Sequence, residues 1–358
     1  MTQLFTAHRQ WASRPDDERF ASLEDLHREV SRHRAGATEA RGVPVGNLYM
    51  NLDKANEPIL VGANRHASLT HWAFGQLATK VGAPAGYLRE LPGPLAAQNL
   101  NHGLRTLPDD ATVEMLFHQS PGALALRAIT SGSYARIWNA DITARLLRLT
   151  QQDPTWQPAP AARDGSRGLY ASDHDMFAFL VDNDRRVFER GPGGGLSRGF
   201  FVWNSEVGAS SFGIMTFLYE YVCGNHIVWG AKEITELRTR HVGSAPERSV
   251  LMLAGTLRRY ADASAIEDER RIERAQTITL GGTKEEVLDK VFSFRTGVSQ
   301  KLIADAYDRA EQHTDWYGSP RTVWGMVNGI TEIARDIPHA DKRVEVERAA
   351  GRVMQVAF

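Results

Sequence analysis

The residues best suited to chemistry lie in SDHDMFAFLVDND, residues 172–184. Asp173 and Asp175 are two apart, so an extended chain puts both carboxylates on one face and His174 on the other. Asp182 and Asp184 follow beyond an apolar run. Carboxylates meeting at one point hold Mg²⁺ in nucleases and phosphoryl-transfer enzymes, so Asp173, Asp175 and Asp182 form a candidate metal set. Such a site would also need Glu206 or His226 to converge on it. The competing reading is structural, with Asp and Asn terminating a strand and making its turns. Other enzyme signatures are missing. No Gly-x-x-x-x-Gly-Lys-Ser/Thr occurs, and GPGGGLSRG lacks the lysine that reaches phosphate, so it reads as a hairpin tip. A lone cysteine, Cys223, lies among apolar neighbours and reads as an inert buried thiol.

A second pattern joins cations to aromatics. LRAITSGSYARIWN carries Arg127, Tyr134, Arg136 and Trp138. Arg185, Arg186, Arg190 and Arg198 flank the glycine-rich stretch 191–195, and Arg238, Arg240, His241 and Arg248 follow further on. A groove lined by arginines, with Tyr134 or Trp203 exposed for base stacking, is what single-stranded nucleic acid requires. The alternative is a solvated sheet face over core aromatics. FFVWNSEVGASSFGIMTFLYEYVCGNHIVWG, residues 200–230, reads first as core. Trp203 ends a strand, Asn204 and Glu206 make a turn, and Phe212, Ile214, Phe217, Leu218 and Val222 are expected to be buried. Any local function of this stretch would sit at Asn204, Ser205, Glu206 and Asn225.

These residues need a scaffold. The chain has 358 residues, 42% of them hydrophobic and 24% charged, enough for one large domain or two ordinary ones. A net charge of −1 gives no global pull toward nucleic acid or membrane. One cysteine fits a reducing cytoplasm, the polar first 20 residues do not read as a secretory signal, and no apolar run is long enough to span a membrane. SLEDLHREVSRHRAG predicts a helix capped by Ser22. VPVGNLYMNLD and EPILVG predict a hairpin, and SLTHWAFGQLATK a helix capped by Ser68 or Thr70. ATVEMLFHQ, ALALRAITS and MFAFLVDND predict strands, with NADITARLLRLTQQ a helix between the last two. SSFGIMTFLYEYVCG predicts a buried helix or a helix–strand element. From about residue 246 the pattern is helical throughout. The expected fold is therefore α+β, with a central, mainly antiparallel sheet flanked by N-terminal helices and a C-terminal helical region. Its expected divisions are an N-terminal helical segment (1–40), an α+β core (41–245) and the helical C-terminal region (246–358).

Three blocks in order resemble a known family. They are LRAITSGSYARIWN, WNSEVGASSFGIMTFLYEYVCGN and TVWGMVNGITEIARD. The family is the phage- and plasmid-like group catalogued as domain of unknown function 932. It has no assigned reaction. The resemblance implies carriage on mobile elements, and with it DNA handling: single-strand binding or annealing in recombination or replication, by a homo-oligomer. The expected partner is single-stranded DNA, with no membrane partner. No cofactor is called for, apart from Mg²⁺ on the nuclease-like alternative. A third reading is a protein-binding inhibitor of a host defence or repair enzyme.

Overall fold

The structure, a computed structural model, describes residues 18–120, 123–159, 168–188, 196–220, 225–227, 236–262, 266–336, 346 and 349–357. Helix α1 (Leu23–Ala35) opens on Ser22, whose hydroxyl accepts the Asp25 N–H at 3.1 Å. Glu24 and Asp25 lie in its first turn and Arg32, His33 and Arg34 in its last, as the helix dipole favours. Leu23, Leu26 and Val30 give it one buried stripe.

A six-stranded sheet follows, in the order β1 (Ala37–Pro44), β5 (Thr112–Ser120), β6 (Ala123–Ser131), β4 (Arg65–Leu69), β3 (Pro58–Gly62), β2 (Tyr49–Leu52). Only the β4–β6 pair is parallel. Helices α2 (His71–Lys80), α3 (Ala85–Glu90) and α4 (Gly93–Arg105) connect β4 to β5. Thr70 caps α2, accepting the Ala73 N–H. Leu77 of α2, Leu88 of α3 and Leu100 of α4 pack with Leu60, Val113, Phe117 and Leu126 into a first core drawn wholly from residues 43–129. At the β2 edge the Asn101 amide stands in for a missing strand. Its Oδ1 accepts the Met50 N–H at 2.7 Å and its Nδ2 donates to the Met50 carbonyl at 2.9 Å. Asn101→Leu strips both partners from Met50 and is expected to cost about 1–3 kcal/mol in urea unfolding. An unchanged midpoint would show that the edge is held by something else.

The second sheet has three long strands, β9 (Met176–Phe188), β10 (Leu196–Asn204) and β11 (Phe212–Glu220), with β10 central. Two short strands pair with each outer strand. These are β7 (Trp156–Pro158) and β8 (Leu169–Ala171) on β9, and β12 (Asn225–Ile227) and β13 (Glu236–Thr239) on β11. All of its pairings are antiparallel.

One face of this sheet, with Phe200, Val202, Phe212 and Ile214, is buried under α1, α5 (Asn139–Gln152) and the C-terminal helices. Those are α6 (Ala245–Asp262), α7 (Ile266–Thr277), α8 (Lys284–Ser293), α9 (Gln300–Gln312), α10 (Thr314–Tyr317) and α11 (Val323–Asp336). Tyr170, Phe177, Phe179, Phe201, Trp203 and Met215 bury the opposite face. Residues 212–220 are therefore a strand. With both faces buried the apolar run is continuous, and periodicity cannot separate it from a helix. Phe212 and Ile214 are buried as expected, whereas the side chains of Phe217, Leu218 and Val222 lie outside the described residues, as does Cys223.

The fold is α+β, with mainly antiparallel sheet and helices toward both termini. The sheet strands of residues 41–245 are shared between two cores. Position 246 divides neither, because Leu253, Leu257 and Tyr260 of α6 pack into the cluster that holds Phe200.

Candidate functional site

The two cores meet where the singled-out motifs lie. In β6, Leu116 faces Ala128 and Phe117 faces Leu126, so Arg127 is the extra residue of a bulge. The bulge aims it at the second sheet. One guanidinium nitrogen lies 3.3 Å from the Glu206 carboxylate and the other donates to the Asp173 carbonyl at 2.5 Å. Beyond β6 the chain turns at Gly132 and Ser133, and Tyr134, Arg136 and Trp138 then alternate to one side. They stack on one another. The Arg136 guanidinium lies 5.3 Å from the Tyr134 ring centroid and 5.8 Å from that of Trp138, and Arg34 lies 5.3 Å from Trp138. Tyr134 lies parallel to His241 at 5.0 Å. Arg136 also binds the Glu206 carbonyl, and its Nε donates to Glu39 at 2.8 Å.

The receiving surface is the turn Asn204–Gly208. Asn204 Nδ2 donates to the Ile137 carbonyl at 2.8 Å and to Asn139 Oδ1 at 2.7 Å. Ser205 Oγ donates to the His174 carbonyl at 2.6 Å, and the Ser205 carbonyl accepts the Tyr134 hydroxyl at 3.0 Å. Glu206 Oε1 accepts the Asn139 N–H at 2.9 Å, placing a carboxylate at the N-terminus of α5. The Val207 carbonyl accepts Trp72 Nε1 at 3.0 Å and Gln76 Nε2 at 2.7 Å. Gly208 sits at φ +81, where a side chain is strained.

Burial decides what these groups can do. Arg127 and Arg136 are each 6% exposed and Glu206 1%. The expectation that Arg127 and Arg136 line an open groove is corrected, because their donors are engaged inside the protein. Arg198 is also buried, its guanidinium 4.0 Å from the Tyr260 ring centroid. Trp203 is fully buried and offers no face for stacking, and Asn204, Ser205 and Glu206 are buried structural groups. Tyr134 is half-buried, and burial pushes its phenol above the usual range. Burial, then the nearby Arg136 charge, lowers His241 to about 4. At Glu39 burial works to raise the carboxyl, but hydrogen bonds from Arg136 and Arg41 outweigh it and hold it below the usual range.

Asp173 and Asp175 both approach the His174 imidazole, at 2.8 and 3.8 Å, but Asp182 does not join them. Asp175 is buried and accepts the Tyr170 hydroxyl at 2.6 Å and the Ser172 hydroxyl at 2.7 Å. Asp182 lies within β9, seven residues on, about 23 Å along an extended chain. Asp173 is exposed and bonds His174 Nδ1 at 2.8 Å. Trp72 stacks on His174 with centroids 6.0 Å apart. Among the described residues no group of three potential ligands could hold a metal ion.

A cationic surface does remain. Tyr134 bridges to Val242, and the Ala135 N–H donates to the His241 carbonyl at 2.8 Å. This pairing sets the exposed turn Ser131–Ser133 beside the exposed Val242–Ser244. Arg238, Arg240 and Arg248 are exposed on the same stretch of chain, with Glu247 the one carboxylate in 238–248. Arg185 and Arg186 lie on β9, where Arg186 pairs with Ser197, and Arg190 is outside the described residues. Sequence reasoning missed Glu39, Trp72, Gln76, Asn139, Ser131 and Ser133. The Tyr134, Arg136, Trp138 spacing signals one shared face, but no local signal names the groups that cover it.

A family described as Domain of unknown function (DUF932) matches residues 128–350, from the end of β6 through the second sheet and the C-terminal helices. No curated protein and no solved structure matches the chain.

Proposed function

From the premise that the chain belongs to the DUF932 family, we propose that it is a DNA-binding protein of mobile elements that grips single strands by their phosphate backbone. One observation carries this reading. The Tyr134–Val242 bridge sets two exposed Gly/Ser turns side by side, next to Arg238, Arg240 and Arg248. Backbone N–H groups, serine hydroxyls and guanidinium groups are what phosphate oxygens bond to. Binding through such groups reads charge and not sequence, in keeping with single-strand binding or annealing by a homo-oligomer in recombination or replication. Arg136, stacked on Tyr134 and bonded to Glu39 and the Glu206 carbonyl, supports this surface from beneath. The chain has no helix, among the described residues, long and apolar enough to cross a membrane.

The test is fluorescence anisotropy of a labelled single-stranded oligonucleotide titrated across a salt series. For the intact protein, log K falls linearly with log salt. Arg240→Ala with Arg248→Ala is expected to reduce that slope by about 1.4, at roughly 0.7 for each phosphate of a single strand that no longer meets a cation. Binding with an unchanged slope would move the binding surface elsewhere. Absence of binding at low salt would end the reading.

A further inference from the structure

The seam between the two cores carries few apolar contacts. Leu116, Ala128 and Val207 form its small buried cluster, with Ala37, Trp72, Trp138 and Ala209 against it. At one end α1 turns into β1, and there His33 meets His118 of β5 edge to face, ring centroids 5.8 Å apart. The turn is tight. The Gly36 N–H donates to the Arg32 carbonyl at 3.0 Å, the Gln119 N–H donates to the Gly36 carbonyl at 2.9 Å, and a Cβ on Gly36 would lie 2.7 Å from the His118 ring. The charged groups facing this pair are Arg32 and Glu29 of α1 and Arg127 of β6, with Glu29 Oε1 2.9 Å from His33 Nε2.

We propose that this junction is an acid-sensitive joint: protonation of His33 and His118 parts the two cores along the seam while each core stays folded. Two cations would then share the junction with Arg32 and with Arg127, whose own carboxylate partner is Glu206, and Glu29 is the carboxylate that faces the imidazoles. Burial, then the Arg127 charge, lowers His33 to about 4, and the same two causes in the same order lower His118. Both rings are neutral in the closed form at pH 7. Once parted they regain the ordinary imidazole value, so the parted form binds more protons as pH falls from about 6.5 toward 4. Closure is thus fully favoured above that window and lost within it. For His33 alone the limiting bias is roughly 300-fold, the ratio between an ordinary imidazole value and one near 4. Each core has its own buried cluster, so parting does not require unfolding. The joint is independent of the nucleic-acid reading.

The test is small-angle scattering of the full chain from pH 8 to pH 4, with far-UV circular dichroism on the same samples. The radius of gyration is expected to rise between pH 6 and pH 4 before the far-UV signal changes. His33→Gln with His118→Gln is expected to suppress that rise. Glu29→Gln, which removes the one facing carboxylate, is expected to move the rise to higher pH. His66→Gln, at an exposed histidine of β4, is expected to leave it in place. A radius that stays constant until the far-UV signal collapses would overturn the joint. So would a rise unmoved by both the His33/His118 and the Glu29 variants, or one abolished by His66→Gln.

Discussion

Glu206→Ala is expected to destabilise the chain by about 3–5 kcal/mol, the usual cost of removing one partner from a buried ion pair. Two groups lose their acceptor at once. Arg127 keeps its charge in the interior, with the Asp173 carbonyl its remaining partner among the described residues, and the Asn139 N–H at the start of α5 is left bare. The wild-type pair need not stabilise the fold over an apolar substitute, so Arg127→Met with Glu206→Met is expected to recover much of the loss. Glu206→Gln keeps an acceptor for Asn139 and should fall between the two. Urea unfolding of the three variants orders them. A loss below about 1 kcal/mol for the alanine variant would show that Glu206 is not the hub.

Trp203→Ala is the second large effect, at about 3–5 kcal/mol for a fully buried indole. The ring packs 5.0 Å from Phe201 and lies over Gly213 of the neighbouring strand, where a Cβ would come within 2.0 Å of the indole. Gly213→Ala alone is therefore expected to cost about 1–3 kcal/mol by overpacking, and less in a Trp203→Phe background where the ring is smaller. The same variants separate packing from recognition. Trp203→Phe, measured where it is folded, should leave the salt slope of oligonucleotide binding unchanged. A lowered affinity at fixed salt with the slope unchanged would mean that Trp203 reaches the nucleic acid, whereas a lowered slope would report on Arg238, whose guanidinium lies 5.8 Å from the ring centroid.

Local chemistry carries the element boundaries that sequence reasoning located. Ser22 and Thr70 stand before helices whose N–H groups they accept, and the hairpin over residues 49–62 follows from two short apolar runs between turn residues. Helix–strand ambiguity arises where both faces of a strand are covered. Phe212 and Ile214 bury one face of the second sheet and Met215 the other, so this strand's sequence has no polar face to report its period.

The candidate site divides along the same line. Tyr134, Arg136 and Trp138 share a face because the chain alternates, and that follows from spacing alone. What the face meets is a tertiary matter. Arg127 and Arg136 read equally well as groove cations and as buried anchors, because an arginine's sequence neighbours say nothing of a carboxylate or carbonyl 70 or more residues away. Glu206 and its carbonyl supply those partners here. Asp175 and Asp182 looked convergent because both flank one apolar run, but a strand is rigid and extended and holds its two ends apart. By itself the sequence determined the α+β class, the helix caps and the faces on which the motifs lie, since these depend on period and on residues within a turn of each other. Tertiary structure alone decided which arginines are buried, which are exposed and which carboxylates meet, since desolvation and pairing depend on what the rest of the chain brings against each group.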